Sequence, residues 1–215
     1  MSDATYHAGM RELQDRFDTR RLADRLDERL GRSAFREEDR AFIESRTLFF
    51  LATADAEGRP DCSYKGGDPG FVRVVGPDLL EFPSYDGNGQ FRSLGNVLAN
   101  SAVGLLFIDF ESPRRLRVNG QATLLDDPEA LARHHGAQLV VRVRAGRIFP
   151  NCPRYIHRGA GGELSADVPR LGHMPPAAAW KSMSIVADVL PRPQGRAGTL
   201  PVDMDDPVNR GGPHG

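Results

Sequence analysis

The chain has 215 residues, with 28 Lys and Arg against 29 Asp and Glu, a formal net charge of -1. That is enough chain for one domain with a sizeable core, and the charge balance gives no general attraction to nucleic acid or an anionic membrane. Two cysteines exclude a disulfide framework, no apolar run reaches membrane-spanning length, and the N-terminus lacks the order of a signal peptide; a cytoplasmic protein is expected.

In chain order, residues 9 to 46 are charged and helix-like, with Leu13, Phe17, Leu22, Leu26 and Leu30 on one face until Gly31 stops the run. A further helix is predicted over Glu37 to Ser45, with Phe42 and Ile43 inward. The periodicity then changes. Leu48 to Thr53 is continuously apolar, Asp55-Ala56-Glu57-Gly58 is a turn signal, and Asp61 to Lys65 returns as the second arm of a β-hairpin. Strands are also predicted at Phe71 to Val75, Leu79 to Phe82, Val103 to Phe107, Arg115 to Leu125 and Leu139 to Ile148. Val140, Val143 and their Arg neighbours alternate only partly, which predicts a strand bent or flanked on both sides. Asp127-Pro128-Glu129 opens a short helix. The body is mainly β with added α, a barrel or sandwich. From Leu190 onward Pro, Gly and Arg predict a poorly ordered or partner-draped tail.

One segment carries more chemistry than the rest. Ser84-Tyr85-Asp86-Gly87-Asn88-Gly89-Gln90-Phe91-Arg92-Ser93 follows a strand and opens a short amphipathic helix. Two glycines free the backbone to wrap closely, and the helix start adds N–H donors. With Asn88, Gln90, Arg92 and Ser93 the segment suits a phosphate; equally, it is a polar loop joining a strand to a helix. A dinucleotide fingerprint fails, because Arg92 stands where a third glycine belongs and the helix is too short for a parallel crossover. His134 and His135 are adjacent and cannot share one site, and His157 with Cys152 has no second ligand pair, so no metal site is expected. Cys152, just after a strand, is either a thiol at a helix start or a small buried residue between turn prolines.

Taken in order, FFLATADAEGRPDCSYKGGDPGFVRV (49–74), EFPSYDGNGQFRSLGNVLANSAVGLLFIDF (81–110), RRLRVNGQA (114–122) and RIFPNCPRYIHR (147–158) resemble the pyridoxamine 5'-phosphate oxidase-like family of flavin-binding split barrels. The resemblance implies a six-stranded antiparallel split β-barrel with N-terminal helices and short helical insertions, paired as a homodimer with FMN in the interface clefts. It implies a helical segment over 1–46 packed on the barrel, an FMN-binding domain over 47–158, an extension over 159–190 and a flexible tail over 191–215. Cys62, Ser63, Tyr64 and Lys65 would flank the ring. Ser84, Tyr85, Asn88, Gln90, Phe91, Arg92 and Ser93 would hold the phosphate and ribityl chain, and the second subunit would add Arg117, Asn151 and Arg154. The implied activity is a flavin-dependent oxidoreductase, with a nicotinamide as a possible electron donor. A non-catalytic flavin carrier or sensor, or the same barrel with haem or a deazaflavin, are the alternatives. Members that oxidise pyridoxamine phosphate carry an Arg-x-x-x-x-Lys strand and a Ser-Arg-Lys triplet. Here Asp61-Cys62-Ser63-Tyr64-Lys65-Gly66 replaces the first, the second does not occur, and no Arg-x-His follows Leu190. Flavin binding therefore transfers better than vitamin B6 oxidation.

Overall fold

The computed structural model describes residues 5–159, 166 and 176–190. The tail expected over 191–215 lies outside the described residues. The described residues divide into two compact units, one between 28 and 178 and one formed by those up to 27 with those from 179 onward.

The larger unit is an antiparallel sheet with helices, a split-barrel fold of the β+α class. Its strands are β1 (Leu48–Ala54), β2 (Pro60–Gly66), β3 (Arg73–Val74), β4 (Leu79–Ser84), β5 (Ala102–Asp109), β6 (Arg114–Leu125) and β7 (Leu139–Asn151), in the order β2-β1-β5-β6-β7-β4-β3. The sheet thus has the seven strands read in chain order, one more than the six the family resemblance implies. The strand expected over Phe71 to Val75 is the two-residue β3, cut short because the Asp68–Phe71 turn and the turn back to Leu79 consume both ends of the apolar run. Phe71 and Val72 still enter the core from outside the ladder.

The β1–β2 hairpin closes as its sequence dictates. Asp55 Oδ1 accepts from the N–H groups of Glu57 and Arg59, and Gly58 takes φ +82°, which an L side chain adopts only with strain. The long strands β6 and β7 form the spine, with a register shift between Asn119 and Gly120 that bends the pair. The partial alternation in β7 has a second cause. Val140 is buried on the face away from Val141, where α5 (Pro128–Ala132) packs against β7. Asp127 caps α5, its side chain accepting from Ala130 N.

Alternation on the strands sends Phe49, Leu51, Phe82, Leu105, Phe107 and Val118 inward, all essentially without solvent exposure. Phe49 sits at the centre, with ring centroids 4.9 Å from Phe82, 5.1 Å from Phe107 and 5.9 Å from Phe71. Each such side chain contributes roughly 1.5–3 kcal/mol by burial. Phe42 and Ile43 of α3 (Glu37–Glu44) join the same core, as their spacing predicts.

The long predicted helix is two: α1 (Ala8–Arg16) and α2 (Arg20–Leu30). Asp18 in left-handed geometry (φ 51°) breaks the run and resets the helical phase. Leu13 and Phe17 are consequently exposed, and do not share a buried face with Leu22 and Leu26. Leu22 instead packs with Val189 of the short 3-10 turn Ala187–Val189 and with Val186, which precedes that turn, and Arg25 pairs with Asp188.

Candidate functional site

Edge strand β2 presents alternate residues to one face. Asp61, Ser63 and Lys65 pair with Thr53, Leu51 and Phe49 and share their inward side, while Cys62 and Tyr64 point the other way. Because β2 ends the sheet, its inward side is met by α4 (Arg92–Ala99) and by the loop from β4 to α4. Leu94 and Val97 bury the apolar face of α4, and Asn96 Nδ2 donates to Thr53 Oγ1 at 3.1 Å. Between strand, loop and helix lies a cleft of about 240 Å³. Ser63 and Lys65 line it together with Ser84, Tyr85, Asn88, Gln90, Phe91, Arg92 and Ser93, so nine of the expected residues come together in one place.

The loop is shaped for a close backbone approach. Asn88 Oδ1 accepts from Gln90 N at 3.1 Å, and Gly89 lies at φ +73°. Phe91, the N-cap of α4, lies at φ 47°, costing about 1–2 kcal/mol for a non-glycine residue, and offers no side-chain cap to the first-turn N–H groups. Phe91 and Tyr85 keep large exposed ring surfaces on the cleft wall.

A chain of hydroxyls crosses from β2 to α4. Ser93 Oγ donates to Asp61 Oδ2 at 2.9 Å, so in the 2.9 Å contact between the two serine hydroxyls Ser63 is the donor. Arg92 Nε stands 3.7 Å from Asp61 Oδ1. Lys65 is half-buried, and burial pulls its amine below the ordinary lysine value despite the opposing attraction of Asp61. Asp61 and Leu94 were not foreseen as site residues. The signal for Asp61 was its place two residues before Ser63 and four before Lys65, which puts all three on one face of a strand.

The remaining expected residues are elsewhere. Cys62 and Tyr64 are exposed on the opposite face of β2. The register aligns Tyr64, Phe50, Leu106, Arg117 and Phe149 in one row across that outer face, with the Arg117 guanidinium 5.9 Å from the Phe149 ring centroid. Asn151 continues the same face of β7, its Oδ1 buried without a hydrogen-bond partner, and Arg154 follows in the next turn. Within one chain these side chains do not reach the cleft. No helix begins at Cys152, which is half-buried in that turn. His134 is packed, its Nε2 3.6 Å from Glu81 Oε2, and burial lowers its pKa. Among the described residues no group of three His, Cys, Asp or Glu could hold a metal ion, and no helix is long and apolar enough to cross a membrane.

The family model for pyridoxamine 5'-phosphate oxidase matches residues 35–151, the stretch that holds the whole sheet, α4 and the cleft. The chain belongs to this family. Among solved structures, it is similar to a candidate pyridoxamine 5'-phosphate oxidase from Lactobacillus delbrueckii, with 27% identity over 55% of this chain and 95% of that one and a TM-score of 0.46. An FMN-binding protein from Syntrophomonas wolfei is 12% identical over 66% of this chain and 94% of its own, with a TM-score of 0.42. The heme storage protein HutZ from Vibrio cholerae is 18% identical over 53% and 92%, with a TM-score of 0.39. No curated protein matches the chain. In this family member the cleft combines the edge strand β2, the half-buried cation of Lys65 and a glycine-bearing donor loop.

Proposed function

We propose that the cleft binds a flavin, FMN or its phosphate-free parent, and that the chain is a flavin-dependent oxidoreductase acting as a homodimer. The observation that carries this reading is the meeting of Lys65 with the loop from Ser84 to Ser93 in one cleft of a family member. The residues suit the group. The edge of β2 supplies main-chain donors and acceptors for the rim of a planar ring, and Tyr85 and Phe91 supply aromatic surface. Arg92, with Asp61 beside it, and the start of α4 supply donors for the ribityl chain or its phosphate.

A bound flavin supplies the redox chemistry; the chain supplies position and charge. Lys65, held out of bulk water, places a cation where negative charge on a reduced ring would be stabilised. Ser63 and Ser93 orient a ligand hydroxyl through their shared hydrogen bond.

In this reading a second copy walls the cleft of about 240 Å³ on its open side. The outer face carrying Tyr64, Phe50, Leu106, Arg117 and Phe149 is suited to a second copy, which would bring Arg117, Asn151 and Arg154 toward the cleft of its neighbour. The absorption spectrum of the purified protein, with sedimentation at micromolar concentration, tests the reading. Flavin bands in a dimer are expected. A well-folded protein that neither retains nor takes up flavin would overturn it. Stopped-flow mixing with NADH or NADPH then separates an enzyme, in which the flavin bleaches, from a carrier, in which it does not.

A further inference from the structure

We infer that Asp61 is a specificity-determining residue of the cleft: an internal anion that takes the Ser93 proton, stands beside Arg92, and so turns this end of the site toward ligands bearing uncharged hydroxyls. The inference rests on the flavin reading above and concerns which flavin the cleft prefers.

Three observations carry it. Asp61 is on the inward face of β2, its side chain only 20% exposed. Ser93 has one hydroxyl proton, and it goes to Asp61 Oδ2, so Ser93 cannot give that proton to a ligand phosphate without breaking the bond. Arg92 Nε is 3.7 Å from the other carboxylate oxygen, so the cation expected to meet a phosphate already has an anion beside it.

A phosphate taking Arg92 would stand closer to Asp61 than the ~8 Å Debye length of physiological salt, and the two anions would repel with little screening. Two of the ligand-facing groups here, the Asp61 carboxylate and the Ser63 oxygen, accept hydrogen bonds. They suit the hydroxyls of a polyol chain, which donate, and not a phosphate dianion, which only accepts. A purely structural Asp61 would tie β2 to α4 and have no effect on the ratio of two ligands.

The test compares FMN with riboflavin, which differs by the phosphate alone, using quenching of flavin fluorescence on the full chain freed of bound cofactor. The native protein is expected to bind the two within about threefold. Asp61→Asn keeps an acceptor for Ser93 and removes the charge; it should tighten FMN roughly tenfold, about 1.4 kcal/mol, and riboflavin less than twofold. Arg92→Ala should then cost more FMN affinity in the Asp61→Asn background than in the native one. Asp61→Ser, which offers a small hydroxyl without charge, gives the same comparison if the Asn variant does not fold. Equal changes for both flavins, or none, in a folded variant would overturn the inference while leaving the flavin reading intact. Native protein that binds neither flavin would overturn the reading itself, and the inference with it.

Discussion

Glu81 on β4 lies wholly out of solvent and accepts from Arg142 Nε of β7 at 2.8 Å, while Arg133, just past α5, donates to both of its oxygens at 3.1 and 3.2 Å. Charge here is enclosed between a sheet and a helix, on the face opposite the core. Burial would raise the carboxyl pKa, but the hydrogen bonds and charges of Arg133 and Arg142 outweigh it and hold the carboxyl below its ordinary 4.5.

Glu81→Gln should therefore destabilise the fold at neutral pH. Removing one partner of a buried pair costs about 3–5 kcal/mol, and the low end applies because both arginines are partly exposed and can rehydrate. The pH dependence has a definite sign. Below 4.5 the unfolded chain takes up a proton that folded Glu81 refuses, so its contribution is present above that pH and is lost as the pH falls toward the folded value. Urea unfolding from pH 7 to pH 3 should show a flatter profile for the variant than for the parent; parallel profiles would refute the assignment.

Gly120→Ala should be the most damaging single-methyl change in the sheet. A Cβ there would fall 2.1 Å from the carbonyl oxygen of Arg144, on the backbone of the neighbouring strand at the bend of β6 and β7. Backbone cannot swing aside as a side chain can, so a loss of about 3 kcal/mol, the upper end of overpacking, is expected in the melting curve. An unchanged Tm would mean that the bend relaxes freely.

Arg92→Ala should weaken FMN and leave riboflavin nearly unchanged. A free arginine on a phosphate contributes about 1.5–3 kcal/mol, but Arg92 is 73% exposed and has Asp61 beside it, so a loss of about fivefold is expected. Fluorescence titration with both ligands measures it. Equal loss for both would assign Arg92 to the conformation of the loop.

Lys65→Met should make the flavin midpoint potential more negative while the fold survives. The methionine keeps much of the apolar stem, and it removes a cation that burial already penalises, so the Tm of the cofactor-free protein should be equal or higher. Redox titration beside the parent decides. An unmoved potential at full occupancy would leave Lys65 with packing alone.

Much of this protein was legible in its sequence because local rules govern those parts. The Asp55–Gly58 turn, the capped start of α5 at Asp127 and the inward face of Phe42 and Ile43 follow from residues within a few positions of one another. The donor-rich loop from Ser84 to Ser93 was legible for the same reason. The break of the first helix at Asp18 was not, since a left-handed aspartate leaves no periodic trace, and Leu13 and Phe17 keep their helical spacing on an exposed face. The shortening of β3 was hidden too: Phe71 and Val72 are as apolar as strand residues, and only the turns at both ends remove them from the ladder. The cleft was half visible. Alternation could have placed Asp61 with Ser63 and Lys65. What alternation cannot supply is the approach of α4, some thirty residues later in the chain, which sets Ser93 and Arg92 against Asp61. That contact is made by the burial of Leu94 and Val97 on the sheet, a cooperative result of packing distant segments, and so the tertiary structure alone decided which of the expected donors face an internal anion.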